Sequence, residues 1–163
     1  MAGAEAGFFS RLVDERLVFP DLAGATLEEA LREMSSGLAR AGVVRDPEDL
    51  ERHLIERESM GSTGLGGGLA IPHCKVRDLA DVVLSVGVSR SGIDFRAADS
   101  IPVTLIFLVV SPAEAPALHL QALARLSRVI RIPGVAESLR SASTAREIAE
   151  ALRAAERQLA VPA

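Results

Sequence analysis

The stretch 57–75, RESMGSTGLGGGLAIPHCK, contains the residues on which the interpretation of this chain depends. Five glycines lie between Gly61 and Gly68, and a short apolar run then leads to a proline, His73 and the only cysteine, Cys74. Glycine permits backbone conformations and close approaches that other residues avoid. A histidine fixed directly behind such a loop raises the question of whether the loop and the imidazole act together.

Two helices are predicted before this stretch. Thr26 and Glu29 form a capping-box pattern, and apolar residues recur at helical spacing after it, which predicts a helix over 27–41. Asp46 is followed by a proline, a typical cap and first helical position, which predicts a second helix from 47 to 57–59. The glycine-rich segment therefore begins where a helix ends.

Strands are predicted on the other side of the glycines. The segment LAIPH (69–73) indicates a short strand at a sheet edge or a strand end, because proline cannot donate to a strand ladder. The β-branched segment 82–89 predicts a strand, and residues 91–92 predict a turn. The run 102–110 is almost continuously apolar and predicts a central strand buried on both faces. The segment 16–22 is a candidate for one further strand.

Helices are predicted over 116–130, 135–141 and 145–158. Because a strand that is buried on both faces needs a helical layer on each side, the fold class is predicted to be α/β. We expect a mixed β-sheet flanked by helices on both faces, a three-layer α/β/α arrangement. No stretch is long enough to serve as a linker, which predicts a single domain over 1–163.

Composition excludes several classes of function. Hydrophobic residues make up 48% of the chain and aromatics only 3%, so the core is aliphatic and a base-stacking platform is hard to build. The formal net charge of −4 argues against nucleic acid and anionic membranes as partners. One cysteine cannot form an internal disulfide, the N-terminus lacks a secretory pattern, and the longest apolar run is too short to span a membrane. We expect a cytoplasmic protein without stable membrane insertion.

The glycine loop fails the tests for several known motifs. No lysine follows the glycines as a P-loop requires, and Leu69 stands where a dinucleotide fingerprint starting at Gly64 needs glycine. The G-x-S-x-G elbow of serine hydrolases is absent. A metal site is not predicted either. Two of its four candidate ligands, His73 and Cys74, are adjacent on a predicted strand, and adjacent strand residues point to opposite faces, so these two side chains cannot easily bind one ion. The other two candidates are His53 and His119.

Phosphoryl transfer is compatible with this pattern. A neutral imidazole is a nucleophile near pH 7, and the loop supplies backbone N–H groups and the hydroxyls of Ser62 and Thr63. Arg57 precedes the loop and adds a cation that can bind phosphate oxygens. The alternative is that the glycines form only a tight connection and that His73 is an ordinary surface histidine.

The segment RESMGSTGLGGGLAIPH resembles the phosphohistidine signature of a bacterial family. The family comprises the enzyme IIA domains of the phosphoenolpyruvate-dependent phosphotransferase system, in its fructose, mannitol and nitrogen-regulatory branch. The segments GIDFRAADSIPVTLIFLVVSP (92–112) and HLQALARLSRVI (119–130) are also similar to this family. The resemblance covers residues 10–155.

This resemblance implies a mixed sheet flanked by helices and a set of site residues. His73 would accept a phosphoryl group from phospho-HPr or its nitrogen-type paralogue. His119 would position His73, and Arg57 would stabilise the phosphate. Neither a cofactor nor a metal is implied. Cys74 departs from the small residue typical of the family, and we expect it to act as a small hydrophobic side chain. The phosphate loop would consist of Ser62, Thr63, Gly64 and Gly66.

Three functions remain open at this point. We favour a nitrogen-type regulatory member that binds target proteins according to its phosphorylation state, because ESMGSTGLGGG is similar to regulatory members and the chain has no transporter segment or IIB domain. A sugar-transport member would instead pass phosphate to a cysteine of an enzyme IIB and could dock on a membrane transporter. The third alternative is a protein-binding module that is not phosphorylated.

Overall fold

A computed structural model describes residues 7–160 of the chain. A 3₁₀ turn, Glu15–Leu17, follows the first helix. The other elements are, in chain order, α1 (Phe8–Leu12), β1 (Val18–Phe19), α2 (Leu27–Arg40), α3 (Pro47–Ser59), β2 (Gly64–Gly66), β3 (Leu69–Ala70), β4 (His73–Val76), β5 (Val83–Ile93), β6 (Val103–Pro112), α4 (Pro116–Ile130), α5 (Val135–Ser141) and α6 (Ala145–Ala160).

The sheet is mixed and is organised around β6. On one side β6 pairs antiparallel with β5, which in turn pairs parallel with β1. On the other side β6 pairs parallel with both β3 and β4, and β2 continues the sheet by pairing antiparallel with β3. β3 and β4 keep one register along β6, so they form a single strand interrupted at Ile71 and Pro72. The predicted strand 69–73 is therefore correct in place, but its second half begins at His73 instead of ending there.

The side chains of β6 alternate between two hydrophobic clusters, as expected for a buried central strand. One cluster lies between the sheet and α1, α4, α5 and α6, and the other lies between the sheet and α2 and α3. Helices therefore flank both faces of a mixed sheet, which confirms the predicted fold class. Between residues 105 and 110 the first cluster receives Leu105, Phe107 and Val109, and the second receives Ile106, Leu108 and Val110; Val103, at the start of β6, also belongs to the second.

The predicted caps of the first two long helices are confirmed. The Thr26 hydroxyl accepts a hydrogen bond from the Glu29 amide at 3.2 Å, and the Glu29 carboxylate accepts one from the amide of Ala25 at 2.8 Å. Asp46 accepts from the amides of Glu48 and Asp49, each at 3.1 Å. The bonds to the amides of Glu29, Glu48 and Asp49 satisfy donors that the first turn of a helix leaves unpaired, and they fix where α2 and α3 begin.

Two local predictions differ from the structure, and two elements were not predicted. β5 runs through residues 91–92, where a turn was predicted, because Gly92 adopts φ +84° and a register shift lets the strand continue to Ile93. The segment 16–22 contains only a 3₁₀ turn and the two-residue β1 instead of a full strand. The short helix α1 and the strand β2 were not predicted.

Among residues 7–160, no helix combines the length and the apolar character that crossing a membrane requires.

Candidate functional site

His73 is the first residue of β4, and its backbone fixes the direction of its ring. It pairs with Val109, which packs in the cluster beneath α4, and its ring contacts that of His119 on α4. The Nδ1 atom of His73 lies 2.7 Å from the carbonyl oxygen of Ile71. A carbonyl oxygen can only accept, so Nδ1 carries the hydrogen. In the neutral ring Nε2 is therefore the unprotonated nitrogen, which is the nucleophilic one.

His119, on α4, is buried next to His73. The two ring centroids are 5.4 Å apart at an interplanar angle of 49°. The Nδ1 atom of His119 lies 2.7 Å from the Ser111 hydroxyl at the end of β6. Burial lowers the pKa of His119, and the nearby His73 and Lys75 lower it further. His119 is therefore an uncharged ring at neutral pH, held in place by a hydroxyl that the sequence analysis did not identify.

A cleft of about 250 Å³ opens beside His73. It brings Arg57 and three of the four predicted loop residues together with the histidine, whereas Gly66 lies outside the lining. Leu65, which projects from β2 and is 51% exposed, and two residues of α4 complete the rim. The lining consists of Arg57, Ser62, Thr63, Gly64, Leu65, Ile71, His73, Leu123 and Ser127.

The two loop hydroxyls make structural hydrogen bonds. The Ser62 hydroxyl donates to the Phe95 carbonyl at 2.6 Å and accepts from the Gly64 amide at 3.0 Å. The hydroxyl of Thr63 donates to the carboxylate of Glu58, and its amide donates to the other oxygen of that carboxylate at 3.2 Å. These bonds fix the wall of the cleft between α3 and β2. Residues 62–64 of the loop are therefore anchored to Glu58 and Phe95.

Arg57 is positioned at the same wall. Its Nη1 atom donates to the Gly61 carbonyl at 2.9 Å, which closes the turn after α3. A guanidinium carries five N–H donors in a planar fork, so one bond to a carbonyl leaves others for an anion in the cleft.

The far end of the glycine loop is clamped from two directions. Gly66, at the end of β2, and Gly67 and Gly68, which form the turn between β2 and β3, all have positive φ. The Gly67 amide donates to Asp99 at 2.8 Å, and the amides of Gly67 and Ile101 lower the pKa of that carboxylate. On the opposite side of the same residue, Arg140 of α5 donates to the Gly67 carbonyl at 2.5 Å. Nothing in local spacing points to Arg140, since it lies 73 residues away along the chain.

Cys74 lies on the other face of β4 from His73. It packs against the cluster beneath α2 and α3, and burial, followed by the charge of Asp49, raises the pKa of its thiol to about 12. Among residues 7–160, no group of three or more His, Cys, Asp or Glu side chains is arranged to hold a metal ion. The site thus offers an imidazole and a guanidinium that line a small cleft, and a second, neutral imidazole that contacts the first ring but does not line the cleft.

Comparison with known proteins identifies the family of this chain. A family model described as "Phosphoenolpyruvate-dependent sugar phosphotransferase system, EIIA 2" matches residues 11–155. The nitrogen regulatory protein of Bradyrhizobium diazoefficiens is 34% identical over 137 residues, which cover 84% of this chain and 89% of that protein. The crystal structure of the nitrogen regulatory protein IIA-Ntr from Neisseria meningitidis superposes with a TM-score of 0.80 at 29% identity, covering 87% of this chain and 97% of that one.

A sugar-specific relative is similar to the same degree. The fructose-specific EIIABC component of Bacillus subtilis is 35% identical over 103 residues. The match covers 63% of this chain but only 16% of the B. subtilis protein, so the similarity concerns one part of a much longer polypeptide.

Proposed function

The chain belongs to the EIIA type 2 family of phosphoenolpyruvate-dependent sugar phosphotransferase systems, whose members are phosphotransferase components, and from this premise we propose that His73 is its phosphoryl acceptor. The donor is a phosphorylated protein of the HPr type. The observation that carries the proposal is the bond from His73 Nδ1 to the Ile71 carbonyl. It leaves Nε2 unprotonated on a ring that lines the cleft, beside Arg57.

In the proposed step the lone pair of His73 Nε2 attacks the phosphorus in line. The Nε2–P bond forms, the bond from phosphorus to the donor breaks, and the proton on Nδ1 stays in its bond to Ile71. Catalysis of phosphoryl transfer is mostly positioning and charge stabilisation. A rigid strand end and a fixed ring tautomer supply the positioning.

Two neighbours support the transfer in this proposal. The Arg57 guanidinium lines the cleft and binds the phosphoryl oxygens, where charge-assisted hydrogen bonds are strong. His119 lies against the ring of His73 and stays neutral, so it positions His73 without a positive charge of its own, which would repel the charge that the His73 ring gains when Nε2 bonds to phosphorus. Gly64, the glycine of the cleft wall, lets the backbone of a partner protein come close to the phosphorus.

We favour a nitrogen-type regulatory role over a transport role. The Bradyrhizobium relative supports this choice because it is a nitrogen regulatory protein matched over 89% of its length. In this role the phosphorylated and unphosphorylated forms bind target proteins differently. The alternative is supported by the fructose-specific relative, and in that case His73 passes its phosphoryl group to a cysteine of an enzyme IIB.

The test of the acceptor is phosphorylation in a reconstituted system of phosphoenolpyruvate, enzyme I and HPr or its nitrogen-type paralogue, followed by intact-protein mass spectrometry. The wild type gains one phosphoryl group, His73→Ala gains none, and His119→Ala is labelled slowly. His53→Ala is the control, since it removes a half-exposed imidazole of α3 outside the cleft. Unimpaired labelling of His73→Ala contradicts the assignment, provided that this variant melts within a few degrees of the wild type.

A second measurement separates the roles. The phosphorylated protein is mixed with fructose- and mannitol-type IIB proteins, and loss of its label is followed with time. A regulatory member retains the label, whereas rapid loss to a IIB cysteine establishes the transport alternative. If no donor labels the wild type, the chain is a protein-binding module that is not phosphorylated.

A further inference from the structure

Ser111 places a hydroxyl at the end of an apolar row on β6. The preceding residues on the same face of the strand, Leu105, Phe107 and Val109, all belong to the cluster between the sheet and α4–α6. Ser111 itself is completely buried. Burying a hydroxyl costs free energy unless the group is hydrogen-bonded, so the partner of this hydroxyl indicates what Ser111 does.

The partner is the second histidine of the site. The Ser111 Oγ atom lies 2.7 Å from Nδ1 of His119. Along β4, Val109 pairs with His73 and Ser111 pairs with Lys75, so Ser111 lies two residues beyond the acceptor on the same face of the sheet. A single strand therefore supports both imidazoles, one through its backbone register and the other through a side-chain hydrogen bond.

This bond selects one tautomer of His119. Burial, His73 and Lys75 all lower the pKa of His119, so the ring is neutral and carries one hydrogen. In the part of the chain that the structure describes, the Ser111 hydroxyl has no acceptor other than Nδ1 of His119. A hydrogen on Nδ1 would leave the hydroxyl hydrogen unpaired in the core, which is costly. With the hydrogen on Nε2, the hydroxyl donates to the lone pair of Nδ1 and both groups are satisfied.

The Nε2 atom of His119 is free to donate. Among the described residues it has no hydrogen-bond partner, yet it is not one of the fully buried unpaired atoms, so it reaches solvent. The ring to which it belongs lies against that of His73, with the centroids 5.4 Å apart. The tautomer selected by Ser111 thus places an accessible N–H group on the ring beside the acceptor.

We propose that Ser111 is a positioning residue, whose hydroxyl holds the ring of His119 with its hydrogen on Nε2, so that this histidine presents an N–H donor beside His73. The inference deepens the proposed function and rests on it, because the donor matters for the phosphoryl oxygens that arrive at His73. A donor stabilises those oxygens, whereas an unprotonated nitrogen would repel them. Ser111 does not touch the phosphoryl group and acts through His119.

The first test determines the tautomer directly and needs no phosphorylation. Long-range ¹H–¹⁵N NMR spectra of the full chain at about pH 8, where a neutral ring is expected, distinguish a ring nitrogen that carries hydrogen from one that does not. The chain has three histidines, and the signals lost in His119→Ala belong to His119. We expect an unprotonated Nδ1 and a protonated Nε2. A hydrogen on Nδ1 of the wild type overturns the proposal.

Two serine variants then isolate the hydrogen bond. Ser111→Ala should shift the Nδ1 signal of His119, because this nitrogen loses its donor. Ser85→Ala is the matched control, since Ser85 is also a fully buried strand serine with a 2.7 Å bond. Its hydroxyl donates to the carbonyl of Leu17, in the cluster on the other face of the sheet, so the His119 signals should not change. An unshifted Nδ1 signal in Ser111→Ala contradicts the proposal.

The initial rate of phosphorylation in the reconstituted system separates positioning from a general structural effect. Ser111→Ala should lower this rate at least about fivefold, and Ser85→Ala should leave it within about twofold of the wild type. In the His119→Ala background, Ser111→Ala should lower the rate no further, because the hydroxyl acts through that ring.

Two kinetic outcomes overturn the proposal: an equal loss from Ser111→Ala with and without His119, or an equal loss from the two serine variants. If no donor labels the wild type, the proposed function fails by itself, and the spectra still decide whether Ser111 sets the tautomer of His119.

Discussion

His73 and Cys74 are adjacent on β4, yet their side chains meet opposite layers of the molecule. His73 contacts α4, whereas Cys74 packs with the core beneath α2 and α3. The thiolate form is the nucleophile of a cysteine, and burial raises the pKa of the Cys74 thiol to about 12. At neutral pH the thiol is therefore protonated and unreactive, which leaves the imidazole as the side chain of this pair that our proposal requires.

We predict that Cys74 reacts slowly with Ellman's reagent. At pH 8, the thiolate fraction of a thiol with a pKa near 12 is at least about 100-fold smaller than the thiolate fraction of a free thiol with a pKa near 8.5. The folded protein should therefore react at least about 100-fold more slowly than the same protein in urea. The absorbance of the released thiolate measures both rates.

The control for this prediction carries its cysteine at an exposed position. The double variant Cys74→Ala, Ala124→Cys places the thiol on the exposed side of α4 and should react in the native state nearly as fast as in urea. Native wild type that reacts within tenfold of this control would show that Cys74 is not protected.

At the scale of secondary structure, the sequence was sufficient where a local pattern determines an element. The caps of α2 and α3 depend on residues within four positions of one another, and both were predicted correctly. β2 could not be predicted because its three residues, Gly64–Gly66, carry almost no side-chain pattern and are ordered by pairing with β3. The turn expected at residues 91–92 was wrong for a similar reason, since Ile93 pairs with Val103 of β6 after a register shift and the strand thus continues past the glycine.

The candidate site shows the same division. The motif around His73 predicted the residues nearest to it, and the structure brings His73, His119 and Arg57 into one region. The clamp on the glycine turn depends on Arg140, which reaches Gly67 only after α5 has packed on the sheet. A contact of this kind is a property of the tertiary structure, and a single sequence contains no local signal for it.

The clamp predicts different costs for two neighbouring glycines. A Cβ at Gly68 would lie 3.1 Å from the Arg140 guanidinium and 3.3 Å from the Pro102 carbonyl, whereas a Cβ at Gly67 meets nothing within 4 Å. Both have positive φ, so each change to alanine costs about 1–2 kcal/mol of backbone strain. Gly68→Ala should cost at least about 1 kcal/mol more, because neither neighbour can move freely.

Urea unfolding of the two variants measures this difference. Gly67→Ala serves as the matched control, because it introduces the same side chain into the same turn without the contact. Equal free energies of unfolding would mean that the turn yields to the added methyl group and that the clamp is weak. A larger loss for Gly68→Ala, with faster amide exchange at Gly67, would support a rigid wall beside the cleft.

At the scale of the whole molecule, the central strand carries most of the information. The apolar run at 102–110 predicted a strand buried on both faces, and β6 supplies side chains to both hydrophobic clusters. Two helical layers follow from that requirement alone. The order of the strands was not predictable, because the pairing of β1 with β5 and of β4 with β6 joins segments far apart in the chain.

The two ends of the described chain are joined by a buried carboxylate. Glu156 of α6 is only 3% exposed and accepts from the Phe9 amide at 2.6 Å and from the Ser10 amide at 3.4 Å. On the same helix, Arg153 donates to the carbonyl of Val13 at 2.9 Å. These bonds attach α1 to α6 across 147 positions of sequence, and Phe9 contributes its ring to the cluster beneath α4–α6.

We predict that Glu156→Gln destabilises the protein although it preserves the shape of the side chain. The change replaces charge-assisted bonds to two amides and buries an NH₂ group that needs an acceptor, which costs about 1–3 kcal/mol.

Glu150→Gln is the control, because Glu150 forms an exposed pair with Arg146 and such pairs contribute at most about 1 kcal/mol. Urea unfolding gives both free energies, and hydrogen exchange at Phe9 and Ser10 should accelerate in Glu156→Gln alone. If both variants unfold at the wild-type urea midpoint, the attachment of α1 contributes nothing to global stability, and the packing of Phe9 is sufficient to hold it.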